Sequence, residues 1–177
     1  MAVSVYLSAV NQKLLFAKQL LAMTASIKLS ARAGLKDSHQ VSAICQSVAL
    51  QLYQAWHWHL LDIASNYKLP DPQLATGADK LVSLLEQAGK CPAEATEMQN
   101  LADDKSSWAV ELFSAHAGLY ELPSIRKAEM DADRLPMIAV GTVDERNSVD
   151  WRLETAENWL AQMQELVERQ RDMMVEF

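Results

Sequence analysis

The stretch SHQVSAICQSVALQLYQAWHWHLLDIASNY, from Ser38 to Tyr67, decides the fold that this sequence predicts. Its large apolar residues recur at steps of three and four, which places them along one side of an α-helix. This stripe comprises Val41, Ile44, Cys45, Val48, Leu52, Trp56, His59, Ile63 and Tyr67. The hydroxyl of Ser38 can cap the first turn, and Pro70 and Pro72 stop the helix at its other end. We therefore predict a core helix that is buried along most of one side.

The composition favours helix over sheet along all 177 residues. Half of the residues are hydrophobic, whereas there are only five glycines and five prolines. Straight-chain residues, which are abundant here, lose little rotamer freedom in a helix. The length suits one domain with a proper core. We predict a single all-α domain, residues 1–177, folded as an antiparallel up-and-down bundle of four long helices plus one or two short ones.

The same helical periodicity predicts where the other helices lie. The predicted helices run from Val3 to about Ala31, Gly77 to Ala88, Ala93 to Ala102, Lys105 to Glu121 and Asp150 to about Met174. Asp103 and Asp104 should open the helix at Lys105, because acidic side chains favour the positive end of a helix dipole. The irregular segment 122–149 has no helical period, and so long a connection is uncommon in a compact domain. We expect Met137 to Val143 to lie extended against the helices.

The net charge of the chain argues against two classes of binding partner. A net charge of -7 and a pI near 5.1 argue against nucleic-acid and anionic-membrane binding, because both depend on basic patches. No run approaches the roughly 20 apolar residues of a membrane span, and Asn11, Gln12 and Lys13 interrupt the apolar N-terminal stretch. Cys45 and Cys91 form neither a disulfide framework nor a metal motif. We expect a cytoplasmic protein with reduced thiols.

The spacing of the histidines argues against a metal site. His57 and His59 are two residues apart, so on a helix they point about 200° away from each other. Metal sites in helical bundles pair a glutamate with a histidine three residues later, but Trp56 and Phe113 stand three residues before His59 and His116. The sequence therefore predicts no metal, no cofactor and no catalytic residue.

Two functional hypotheses remain open. In the first, the chain is a non-enzymatic interaction module, either a homodimer or an adaptor for another protein. In the second, it is a small-ligand-binding or weakly enzymatic bundle. Its pocket would be lined by Asn11, Tyr53, His57, His59 and His116. Asn11 is expected on the buried side of the first helix, and His59 is either a neutral core imidazole, with His116 as its natural partner, or a ligand-binding group.

The tryptophans near the last helix lead to a specific prediction for the interaction-module hypothesis. Trp151 and Trp159 are about 80° apart around that helix, so one narrow stripe cannot bury both. Exposed tryptophans are enriched at interface centres. We predict self-association through the outer apolar face of the first or the last helix. The alternative is that the segment 122–149 folds back over the last helix and covers these rings within one chain. Within one chain we expect Trp56, His59, Leu112 and Trp108 to be well buried.

The opening of the chain carries a family resemblance. Tyr6-Leu7, Asn11-Gln12-Lys13-Leu14 and Phe16-Ala17 are similar to the opening of an uncharacterised bacterial family of helical proteins of about this length, a domain of unknown function. The likeness continues through Ser107-Trp108 and Ile138-Ala139-Val140. The resemblance implies a helical fold and brings no activity with it.

Overall fold

The computed structural model describes residues 4–28, 35–121 and 151–174, with side chains for 4–24, 39–121 and 151–174. Every regular element in these ranges is helical. The elements are α1 (Val5–Lys28), α2 (Leu35–Asn66), one 3-10 turn (Pro72–Leu74), α3 (Ala78–Gln87), α4 (Ala93–Asp103), α5 (Trp108–Gly118) and α6 (Leu153–Met174). The all-α prediction is confirmed, and the helix packing is compatible with a bundle.

The other helices are arranged around α2. The start of α1 lies at the end of α2, where Ser4 hydrogen-bonds Asp62 and the Tyr6 ring stacks on Trp58 at 6.3 Å, so these two helices are antiparallel. Helix α6 runs in the same direction as α2, since His59 contacts Gln170 and, one or two turns later, Asn66 of α2 contacts Met174 of α6. Helix α5 lies against the middle of α2.

The predicted stripe of α2 forms the centre of the core. Trp56 is 5% exposed, and Cys45, Val48, Leu52 and Ile63 are fully buried. Large fully buried side chains from the other helices complete the core: Leu81, Leu85, Met98, Leu112, Met163 and Leu166. Trp108 is only half-buried, contrary to the prediction, because it lies at the first position of α5, where its ring makes an edge-to-face contact with Trp56.

Two predicted helix starts are wrong. Helix α2 begins at Leu35, so Ser38 lies inside the helix and does not cap it, since residues 35–37 contain no helix breaker. Helix α5 begins at Trp108 and not at Lys105. The Asp104 carboxylate accepts hydrogen bonds from the backbone N–H and hydroxyl of Ser106, which forms a turn, and Ser107 caps α5 by accepting from the N–H of Val110 at 3.1 Å.

The burial predicted for Asn11 is also wrong. Asn11 is exposed, because Leu7, Val10, Leu14 and Ala17 occupy the inward side of α1 and a helix turns about 100° between Val10 and Asn11. Trp159 is 2% exposed within a single chain, whereas Trp151 is half-buried. The two rings are thus not both fully buried, as predicted, and self-association stays a prediction.

The indole N–H of Trp159 donates to the Glu111 carboxylate at 2.9 Å, which gives the buried ring its polar partner. Met163 and Met174 are buried on the same helix.

The expectations for Met137 to Val143 and for the segment 122–149 fall outside the described residues. No helix among those described is long and apolar enough to cross a membrane.

Candidate functional site

A cavity of about 340 Å³ lies between α2, the start of α3 and α5. Helix α2 contributes side chains spaced three and four residues apart, which share one face of the helix. The lining residues are Tyr53, Trp56, His57, Leu60, Thr76, Gly77, Ala78, Asp79, Ala102, Phe113, His116 and Ala117. The cavity is thus walled by aromatic rings and carries a few polar groups, the usual make-up of a small-molecule pocket.

The rings in this wall hold one another in place. Tyr53 and His116 stack face to face with centroids 3.7 Å apart and an interplanar angle of 5°. Phe113 meets Tyr53 edge-on at 5.8 Å and Trp56 edge-on at 5.1 Å. Edge-to-face and stacked contacts each add roughly 0.5–1.5 kcal/mol beyond the burial of the rings. The wall is therefore preformed before any ligand enters.

Partial burial lowers the pKa of His116 below its usual value. Its imidazole is consequently neutral near pH 7, and a neutral imidazole offers one donor and one acceptor. The ring of Tyr120 approaches it edge-on at 5.4 Å. His116 therefore presents hydrogen-bonding capacity to the cavity without carrying a charge.

The start of α3 forms the polar rim of the cavity. Gly77 is the N-cap residue and makes no side-chain cap. The Asp79 side chain folds back over it, so closely that a Cβ at position 77 would lie 2.7 Å from Asp79 Oδ1. A glycine is thus required here for the carboxylate to take this position. Thr76 and His57 complete the rim.

His59 does not line this cavity. It is fully buried between α2 and α6, where its Nε2 lies 2.8 Å from Gln170 Oε1. The amide nitrogen of Gln170 donates to Glu97 Oε2 at 2.8 Å and to the Glu94 carbonyl at 3.3 Å, so its oxygen faces His59 and Nε2 must carry the imidazole proton. Burial lowers the pKa of His59, which is a neutral core imidazole.

The structure brings together three of the five residues proposed from the sequence. Tyr53, His57 and His116 share the cavity, whereas Asn11 is exposed on α1 and His59 is enclosed with Gln170. His116 stacks on Tyr53 and is not the partner of His59. Trp56 and Phe113, which also line the cavity, were not among the residues predicted from the sequence. Their spacing of three residues from Tyr53 and His116 was the available signal.

A second cavity, of about 490 Å³, lies at the turn into α4. Its lining residues are Tyr67, Lys90, Cys91, Pro92, Ala93, Glu94 and Met173. The Tyr67 hydroxyl donates to the Glu94 carboxylate at 3.0 Å, and burial together with this carboxylate raises the pKa of Tyr67 to about 12. Lys90 Nζ donates to the Tyr67 carbonyl. These polar groups already satisfy one another, so the first cavity is the stronger candidate.

The described residues include no group of three or more His, Cys, Asp or Glu side chains that could hold a metal ion. Both cysteines are free, with Cys45 buried and Cys91 exposed. Burial, followed by the nearby Glu157 carboxylate, raises the pKa of the Cys45 thiol, which makes it a poor nucleophile.

Comparison with known proteins supplies a family and no activity. Neither a curated protein nor a solved structure matches the chain. A family model described as a family of unknown function, DUF6586, matches residues 6–177. Because the match covers nearly the whole sequence, the chain belongs to this family of unknown function.

Proposed function

We propose that the protein binds a small, uncharged, planar ligand in the cavity between α2, α3 and α5. The observation that carries this proposal is the preformed stack of Tyr53 on His116, set against the rings of Trp56 and Phe113. The cavity volume of about 340 Å³ falls within the range of roughly 300–1,000 Å³ typical of ligand pockets.

The charges at the site favour an uncharged ligand. The neutral imidazole of His116 gives no ion-pair partner to an anion, and the Asp79 carboxylate at the rim disfavours one. A flat ring with a donor and an acceptor on its edge matches the aromatic wall and the polar rim together. We assign ligand binding to this site.

The test measures binding of three probes by ligand-observed NMR. Benzimidazole is planar and uncharged, benzoate is planar and anionic, and cyclohexanol is uncharged but not planar. We expect benzimidazole to bind with a dissociation constant on the order of 1 mM or below, and the other two to bind at least tenfold more weakly.

Two variants and a control test whether benzimidazole binds in this cavity. His116→Ala should weaken benzimidazole binding about tenfold, because it removes one ring of the stacked pair. Ala117→Leu should do the same by placing a larger side chain in the cavity lining. His39→Ala is the matched control, since His39 is exposed near the other end of α2. Equal binding of all three probes, or an equal loss in the control, would refute the proposal.

We also propose that the protein is cytoplasmic and folds as a single domain. Free thiols at Cys45 and Cys91 fit a reducing compartment, which supports the cytoplasmic location expected from the sequence. Buried residues from α1 to α6 form one continuous core, which supports a single domain. The alternative role as an interaction module stays a prediction, to which Trp159 contributes no exposed ring because it is buried within one chain.

A further inference from the structure

Asp79 brings a carboxylate to the rim of the cavity between α2, α3 and α5. The residue is exposed and occupies the second position of α3. In the part of the chain that the structure describes, its side chain has no hydrogen-bond or salt-bridge partner. An ionised carboxylate accepts hydrogen bonds and donates none. Both oxygens of Asp79 can therefore accept a hydrogen bond from a ligand in the cavity.

The position of this carboxylate depends on Gly77, the N-cap residue of α3. The backbone of Gly77 is extended, with φ -154° and ψ 168°, a conformation that any residue can adopt. A glycine is therefore not needed here for the path of the backbone. It is needed for space, because a Cβ at position 77 would lie 2.7 Å from Asp79 Oδ1. Gly77 thus leaves room for the carboxylate at the rim of the cavity.

The dipole of α3 does not account for this arrangement. An acidic side chain in the first turn of a helix interacts favourably with the dipole in any rotamer, and it needs no space over the N-cap residue. The folded-back Asp79 does not cap the helix either, since the N-cap of α3 has no side-chain hydrogen bond. Instead, Asp79 shares the cavity rim with Thr76 and His57. The partner of its carboxylate is therefore to be sought in the cavity.

We propose that Asp79 selects planar heteroaromatic ligands with an N–H group on one edge, by accepting a hydrogen bond from that group, and that Gly77 positions the carboxylate. The inference rests on the proposed ligand binding and deepens it by naming the group of the ligand that the site recognises. A hydrogen bond to an ionised acceptor is about twice as strong as one between neutral groups. A ligand edge without a donor would displace water from the carboxylate and give nothing in return.

Two isomers of one compound test this selection. 1-Methylbenzimidazole and 2-methylbenzimidazole have the same atoms and the same flat ring system, and both are uncharged in mildly alkaline buffer. Only the 2-methyl isomer keeps the ring N–H. In ligand-observed NMR, the wild-type chain should bind the 2-methyl isomer about tenfold more tightly, because that isomer alone can donate to the carboxylate.

Asp79→Ala removes the acceptor, so the preference for the 2-methyl isomer should fall below about twofold. Asp71→Ala is the matched control. It removes an exposed carboxylate at the 3-10 turn before α3, outside the cavity lining, and should keep the preference. Circular dichroism confirms that each variant is folded.

Gly77→Ala tests the positioning role. This variant keeps the Asp79 carboxylate in the chain but forces its oxygen away from the N-cap residue, so the preference should again fall, to below about threefold. A change that merely narrows the cavity would weaken both isomers and leave their ratio unchanged. Added to Asp79→Ala, Gly77→Ala should cause no further loss of preference, because it acts through the carboxylate.

The outcomes separate this inference from the proposed function. Equal binding of the two isomers to the wild-type chain, with both weakened by His116→Ala, would overturn the role of Asp79 and leave the ligand-binding cavity in place. A preference that survives Asp79→Ala would assign the selection to another rim residue, and a preference lost in Asp71→Ala would assign it to net charge. Failure of both isomers and of benzimidazole to bind would refute the proposed function together with the inference.

Discussion

Gln170 ties three helices together in the core, so its replacement gives a sharp test of the packing. Its side chain extends from α6, accepts a hydrogen bond from His59 of α2, and donates to Glu97 and to the Glu94 carbonyl of α4. Gln170 is fully buried. Gln170→Leu keeps a similar volume and removes every one of these bonds, so the change isolates their contribution to the free energy of unfolding.

The stability lost in Gln170→Leu depends on whether each former hydrogen-bond partner of Gln170 finds a new partner. His59 is fully buried, and among the described residues its Nε2–H has Gln170 as its acceptor; an unmet buried donor costs roughly 1–3 kcal/mol. Glu97 has a side chain that is 30% exposed and an ion pair with Arg169 at 2.8 Å, so water and Arg169 replace most of its lost bond. Adding about 1 kcal/mol for this carboxylate, we expect Gln170→Leu to destabilise the fold by about 2–4 kcal/mol.

A double-mutant cycle in urea unfolding identifies the cause. His59→Leu alone leaves the Gln170 oxygen without its donor, whereas the double variant removes both polar partners. Replacing both partners of a buried hydrogen bond by apolar groups is far less costly than removing one. The double variant should therefore be more stable than the sum of the single losses predicts, by about 1–2 kcal/mol.

Additive losses, within about 0.5 kcal/mol, would refute this reasoning and would show that the single losses come from packing alone. Gln54→Leu is the control, because it makes the same change at an exposed position of α2 and should alter the stability by no more than about 0.5 kcal/mol.

Two further predictions concern the stability of the same core. Because burial lowers the folded-state pKa of His59 below 6.5, the unfolded chain binds a proton more readily there. The stability contributed by the neutral imidazole should be complete above about pH 6.5 and should fall below it, by at most about 1.4 kcal/mol per pH unit, until the pH passes the lowered pKa. Urea unfolding across this range should show a shallower pH dependence in His59→Leu, and equal slopes would contradict the assignment. Trp56→Ala should cost about 3–5 kcal/mol, since the ring is only 5% exposed, and a near-neutral result would contradict the orientation of α2.

The helical class and the stripe of α2 could be predicted because they depend on residue spacing. Apolar residues at steps of three and four specify the stripe at the centre of the core, although α2 is buried beyond that stripe, with residues 59–64 all buried. The starts of α2 and α5 were predicted wrongly because each depends on which residue caps the helix. Ser38 and Ser107 are both suitable cap residues, and only the path of the backbone decided that Ser107 caps its helix.

The position of Asn11 shows where periodicity fails. Helix α1 has apolar residues nearly all the way around, so its pattern does not specify how wide the buried side is. The contacts with α2 and α6 decide it, and they leave Phe16 outside and Ala17 inside. The candidate site was predictable only in part for a similar reason, since the pairing of His59 with Gln170 spans 111 residues and has no local signal.

His59 and His116 show how one residue type acquires two roles. Burial lowers the pKa of both, so both imidazoles are neutral near pH 7. The Nε2–H of His59 is committed to Gln170, and its Nδ1 lies in the closed core without a hydrogen-bond partner in the described chain, where no ligand reaches it. His116 is half-buried and lines a cavity, with one face already stacked on Tyr53. Only the second histidine can exchange contacts with a ligand without opening the bundle, so the binding proposed here rests on His116 while His59 stabilises the fold.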